Sequence, residues 1–190
     1  GLEIRNWTDI GSVTNINADA LNLTDEATYY VSVRATDGVG HVSEVATTNG
    51  IIADHTGPSG TTVSDGDSTD IELQNNLVLF SGHWESFSDE YSGMAYHEAA
   101  LYDATGGAYI ETWTDVGVDT TTTFYGLALV AGKTYEIHVR GVDLVGNTGA
   151  IVESDGVLID LSAPTVPVNL VGWFTTGRIF LEWTANTEPD

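Results

Sequence analysis

The sequence predicts an all-β chain of β-sandwich units, on three observations. Alternating runs rich in Val, Ile, Thr, Tyr and Trp recur along it, the pattern of half-buried strands. Turn signals built on Gly, Asp, Asn and Pro part these runs about every ten residues, and no stretch carries a helical apolar period. The chain also contains itself. Residues 1–58 align without a gap on residues 107–164, at an offset of 106, with roughly a third of positions identical. A fixed period identifies the unit that folds, and one unit of that length would bury roughly two-thirds of its unfolded surface.

Each element follows in order. Residues 1–58 correspond to the second half of a unit: a strand at 2–8, a turn at 9–11, a short strand at 20–23 and the alternating TYYVSVRAT at 28–36. The DGVG turn at 37–40 puts Gly where positive φ is needed, and a strand returns over 41–52 before the breakers Gly57 and Pro58. Residues 59–164 make one complete unit of about seven strands. It has an edge strand at 61–63, the polar loop SDGDSTD at 64–70, a core strand at 77–84 and an acidic turn at 85–93. A hairpin follows, 95–102 with 108–114 around a turn at 103–107, then strands at 121–129, 134–142 and 150–159. Residues 165–190 open a third unit, with Trp183 after an alternating strand as Trp84 is in the middle one. A start inside a repeat, with Met94 the single Met, points to a stretch of something longer.

Charge narrows the function classes. There are 28 acidic residues against five basic ones (Arg5, Arg34, Lys133, Arg140, Arg178), a formal charge of -23. That excludes nucleic-acid binding by phosphate neutralisation and argues against an anionic membrane as partner. It fits cation binding, or a highly solvated surface in a salty medium. Cysteine is absent, so there is no disulfide framework and no thiol nucleophile. No apolar run approaches the roughly 18 residues that span a bilayer.

Certain motifs carry a family resemblance. LVAGKTY at 129–135 with IHVRGVD at 137–143, and Leu23 to Tyr29 with VSVRATD at the same spacing, resemble the E–F corner and F strand of fibronectin type III domains. Trp84 and Trp183 resemble that family's strand-B Trp, and PTVPVNL at 164–170 its strand-A opening. DGVGH and DLVGN look like the F–G turn of tandem bacterial and archaeal surface repeats, and WESFSDEYSG followed by AYHEAALYD like their B–C region. The resemblance implies tandem immunoglobulin-like sandwiches, with Tyr29 and Tyr135 as tyrosine corners tying a loop to the sheet. It also implies an extracellular or cell-surface setting, with neighbouring modules of the same chain, and other surface proteins or glycans, as partners.

Candidate sites follow from loop placement in such a sandwich. The B–C and F–G loops share one pole with the incoming linker, so Asp54, Asp89, Glu90, Asp143 and Asn147 are expected near one junction. Asp160, Glu188 and Asp190 are expected at the next. Calcium takes about six to eight oxygens at about 2.3–2.6 Å, and an ion there would stiffen the joint. The plainer reading is that these are solvated turn acids, with Asp37 and Asp143 holding their own hairpins. SDGDSTD offers Asp65, Asp67 and Asp70 but lacks the sharp-turn Gly and the closing Glu of an EF-hand loop. Arg34 and Arg140 are expected to lie outward on a sheet face. His41, His55, His83, His97 and His138 show no zinc spacing, and no catalytic motif occurs. Asn6 and Asn22 head glycosylation sequons. Trp113 and Tyr125 would suit sugar stacking if exposed, although packing is the commoner fate.

Three functions are compatible with this. The first is a non-catalytic spacer, stalk, adhesin segment or fibre with cation-stiffened joints. The second is a set of carbohydrate- or protein-binding accessory modules of a secreted enzyme. The third is a filament subunit whose terminal halves pair between neighbours. High-salt adaptation is a competing source of the charge.

Overall fold

The computed structural model describes residues 4–186, and no helix occurs among them. Four two-residue strands come first: β1 (Thr28–Tyr29), β2 (Ser32–Val33), β3 (Ala46–Thr47) and β4 (Ile51–Ile52). Then come β5 (Val63–Asp65), β6 (Leu73–Gln74), β7 (Leu79–Trp84), β8 (Met94–Asp103) and β9 (Ala108–Asp115). The set continues with β10 (Thr121–Tyr125), β11 (Thr134–Asp143), β12 (Val152–Glu153) and β13 (Val157–Ile159), and ends in β14 (Val168–Thr175) and β15 (Arg178–Thr184).

Strands β5 to β13 form a two-sheet sandwich. One sheet runs β10-β7-β5; the other runs β6-β13-β11-β8-β9, with β12 also on β11. This is the immunoglobulin-like arrangement that the strand count and turn spacing predict. Alternation decides which side chains meet. Tyr135, Ile137 and Val139 of β11 point inward with Ala99 and Leu101 of β8, and Phe80 and Trp84 of β7 meet them from the facing sheet. Val157 and Ile159 of β13 close the same core. Gly82 is where the sheets touch: a Cβ there would lie 2.6 Å from Ile137 Cδ1. Each fully buried aliphatic side chain contributes about 1.5–3 kcal/mol.

The tyrosine corner is present twice. Val130 N–H donates to the Tyr135 hydroxyl at 3.1 Å, and Thr24 N–H to the Tyr29 hydroxyl at 2.6 Å. The two pairs are 106 positions apart, so both copies of the repeat make the same loop-to-sheet tie.

Elsewhere the copies differ. Residues 9–27 and the described part of 2–8 contain no strand, against the expected strands at 2–8 and 20–23. The counterpart of the first is β9, which exists because it pairs with β8 along Glu98 to Asp103. Residues 1–58 include no equivalent of β8, and an extended segment without a ladder partner leaves its backbone groups to water. For the same reason the strand expected at 28–36 shrinks to β1 and β2, which pair with β4 and β3. At the other end β14 and β15 form an antiparallel hairpin whose residues are all exposed. Trp183 is 55 % exposed where Trp84 is 5 %. The strand expected at 150–159 divides at Ser154 into β12 and β13, and β6 is an addition too short to show a period.

One carboxylate is built into the sandwich. Asp65 is fully buried and accepts from Ser154 Oγ at 2.8 Å and from Gly156 N–H at 2.9 Å. Burial, joined by the charges of Asp155 and Asp70, pushes its carboxyl up to about 6 although both hydrogen bonds oppose the shift. A carboxyl whose pKa is higher folded than unfolded binds its proton more tightly in the folded state. It therefore favours folding at low pH, and that contribution is lost as pH rises from about 4 through 6.

Three outcomes test this account. Asp65→Asn should hold its stability better than the parent as pH rises. In chelator, the parent's advantage in urea-derived unfolding free energy should shrink between pH 4 and 7 by on the order of 2–3 kcal/mol; a pH-independent difference would contradict the assignment. Tyr135→Phe should lower the unfolding free energy by about 1 kcal/mol. Ile137→Ala, in the centre of the core, should lower it by about 2–5 kcal/mol.

Candidate functional site

The linker after β4 is bound to the sandwich at close quarters. Asn147 Nδ2 donates to the Asp54 carbonyl at 3.1 Å, and Ser59 and Ser88 exchange both backbone hydrogen bonds at 2.9 Å. Two glycines permit the approach. A Cβ on Gly149 would lie 1.8 Å from the Pro58 carbonyl oxygen, and one on Gly57 would lie 2.4 Å from the Thr148 backbone. On the far side, Asp25 accepts from His55 N–H at 2.7 Å and Thr56 Oγ1 at 2.6 Å, and Ser92 N–H of the loop after β7 donates to the Asp54 carboxylate. The turn ahead of β1, the linker and the loop after β7 are thus joined by side chains.

At this junction Asp54, Asp89 and Asp143 come together. Each offers a carboxylate oxygen, and the three lie within 4.8 Å of one another. Asp143 is buried, Asp54 and Asp89 half-buried. Loop conformation places them. Asp143 Oδ1 accepts the N–H groups of Val145, Gly146 and Asn147 at 2.9, 2.6 and 2.8 Å, and its Oδ2 takes the Asn147 amide at 2.7 Å. Burial pushes the Asp143 carboxyl up, but the donors from Asn147, Gly146 and Val145 outweigh it, so the carboxyl sits below the ordinary value. Asp89 Oδ1 accepts from Tyr91, Ser92 and Gly93 N–H, and Asp54 Oδ2 from Ser92 N–H at 3.1 Å. Ser92 therefore bridges two of the three carboxylates.

The other candidates separate. Glu90 is exposed and does not belong to the group. Asn147 belongs through its amide, bonded to Asp143 and to the Asp54 carbonyl. Asp160 accepts from Ser162 through both the hydroxyl and N–H, which lower its carboxyl pKa. Glu188 and Asp190, its expected companions, lie outside the described residues. Of the SDGDSTD loop, Asp65 and Asp70 lie near Asp155, and Asp67 does not join them.

Many of these acids hold turns, and they do so in pairs one period apart. Asp9 and Asp115 accept from Gly11 and Gly117; Asp37 and Asp143 close the Gly-containing turns; Asp54 and Asp160 accept from Thr56 and Ser162. The plainer reading of the turn acids is thus realised, and the junction cluster sits on top of it.

Some groups escaped sequence reasoning. Arg140 lies on the outer face of its sheet and Arg34 directly follows β2, and each guanidinium sits 4.2 Å over a Trp ring, Trp113 and Trp7, again one period apart. Arg140 also bonds Glu98 on β8. Trp113 is half-buried under that guanidinium, whereas Tyr125 is 75 % exposed. His97 is a core residue whose Nε2 accepts the Phe87 N–H at 3.2 Å. Glu136, His138 and Glu153 form a second group within 4.8 Å. A strand puts i and i+2 on one face and a neighbour opposite, a signal visible only once the pairing of β11 with β12 is known.

No family model matches the chain, and no curated protein matches it. Among solved structures, the chicken CNTN1 FN1–FN3 domains align over 89 % of this chain and 56 % of that one, with 16 % identity and a TM-score of 0.39. Titin module A71 from human cardiac muscle aligns over 58 % of this chain and all of that one, with 15 % identity and a TM-score of 0.38. The twitchin kinase region of C. elegans aligns over 56 % of this chain and 18 % of that one, with 21 % identity and a TM-score of 0.36. The sandwich assignment rests on the strand order of this chain itself.

Proposed function

We propose that this chain is a stretch of a non-catalytic extracellular structural protein, a spacer or stalk of successive fibronectin-III-like sandwiches whose joints are stiffened by calcium. One observation carries the reading: Asp54 of the linker converges with Asp89 and Asp143 of the sandwich. Three carboxylates close together repel unless a cation or a proton intervenes. The donor set is all oxygen, which suits calcium, and Ser92 N–H and the Asn147 amide already orient it. Carbonyls and water would complete the shell. An ion held by linker and loops together would remove the freedom of the linker to lift away. The proposed partners are neighbouring modules of the same chain.

A second reading is a glycan- or protein-binding accessory module. It is favoured by the aromatic group Tyr102, Tyr109 and Trp113 on the outer face of the β8-β9-β11 sheet. Arg140 covers the Trp113 ring, Tyr102 stacks on His138 and the Tyr109 hydroxyl bonds His138, so all three rings are already engaged. The structural reading is therefore preferred.

Calcium at about a hundred times its dissociation constant stabilises by about 2.7 kcal/mol. At constant ionic strength it should raise the melting midpoint by about 10–20 °C for a sandwich of about 100 residues, reversibly with chelator. Asp89→Asn should remove most of that shift. An equal shift from matched sodium chloride would mean charge screening, and the calcium joint would fail.

A further inference from the structure

We propose that Glu136, His138 and Glu153 form a binding site for a divalent transition metal, of which zinc is the type, on the outer face of the β11-β12 pair. This site is separate from the oxygen-only joint and does not depend on it. His138 Nε2 lies 3.3 Å from Glu136 Oε2 and 3.8 Å from Glu153 Oε2. Ligands about 2.0–2.1 Å from a tetrahedral ion are themselves roughly 3.3 Å apart. The first pair already has that separation. Glu153 is 67 % exposed and free to close the remaining gap.

The imidazole is held in place from two sides. The Tyr102 ring stacks on it at 4.8 Å, and the Tyr109 hydroxyl lies 3.1 Å from Nδ1. With an ion on Nε2 in place of its proton, Nδ1–H would donate to the Tyr109 oxygen, the outer-shell support that metal-binding histidines have. The ring is buried, with the side chain 8 % exposed. Among the described residues neither Glu136 nor Glu153 has a Lys or Arg ion pair, so the local charge is uncompensated. A nitrogen donor with two carboxylates suits zinc or its neighbours and disfavours calcium.

An internal control shows that the fold does not require these residues. His138 and Glu153 are directly opposed across β11 and β12. One period earlier the opposed pair is Ser32 and Thr47, whose hydroxyls bond at 2.9 Å, and Tyr30 stands in place of Glu136. The same register is thus satisfied by a plain hydroxyl pair in one copy. In the other it carries three groups able to ligate a metal.

The test is a calorimetric titration of the whole chain with zinc ion in calcium-saturated buffer, paired with imidazole 15N NMR. The expected result is a single zinc per chain at this site, with the His138 Nε2 resonance shifted and Nδ1 protonated in the zinc-bound state. Glu153→Gln, at an exposed position, and His138→Gln should each abolish it, and Tyr109→Phe should weaken it about tenfold or more. If His138→Gln fails to fold, Glu153→Gln and the NMR signal decide. No heat of binding, or zinc bound equally by Glu153→Gln through the exposed His41 and Asp37 pair, would overturn the proposal.

Discussion

The inward–outward alternation along Tyr135–Arg140 is the constraint on which the rest depends. Its odd positions, Tyr135, Ile137 and Val139, are buried against the facing sheet, and its even positions, Glu136, His138 and Arg140, meet the outer face. Nine register pairs with β8 hold that orientation, so a slip of one residue would exchange the two sets and empty the core. The register breaks only at the end, between Val142 and Asp143, where β8 carries an extra residue. That irregularity stands at the turn whose buried Asp143 meets the linker. Core, outer face and junction are three readings of one strand.

How much of this could be read from the sequence depended on how local the determining contact was. Tyr135 and Tyr29 were legible because the corner is closed five residues away, by Val130 and Thr24. The meeting of Asp54, Asp89 and Asp143 was anticipated because loop poles follow from strand count, although the same logic also selected Glu90, which points elsewhere. What escaped was cross-strand and register-dependent. Alternation places Arg140 outward, but its bond to Glu98, the residue opposite it on β8, follows only from the register. Residues 2–8 have the alternation of a strand, but alternation shows only what could be half-buried. Pairing decides whether it is, and β9 has β8 to pair with.

The acidity also changes meaning once placed. Instead of forming a uniform coat, aspartates recur one period apart as acceptors for turn N–H groups, as with Asp9 and Asp115 or Asp37 and Asp143. Such bonds to a carboxylate are stronger than those to neutral acceptors, which is a structural reason for acid at each turn. Asp65 is the opposite case, a carboxylate whose burial raises its pKa while Ser154 and Gly156 secure β5 to the segment ahead of β13. The negative charge is therefore partly architectural before any question of solvent or ions arises.

The close seating of Gly149 on Pro58 has a mechanical consequence. Six residues from Asp54 to Ser59 could extend to roughly 20 Å, but here their length is taken up by bonds to Asn147, Ser88 and Asp25. A pull along the chain finds no loose contour to draw out, and the load passes at once into those hydrogen bonds. They are spread over several loops and share the load from the start. Glycine at position 149 is thus a determinant of compliance: any side chain there would lift the linker and turn a clamped hinge into a slack one.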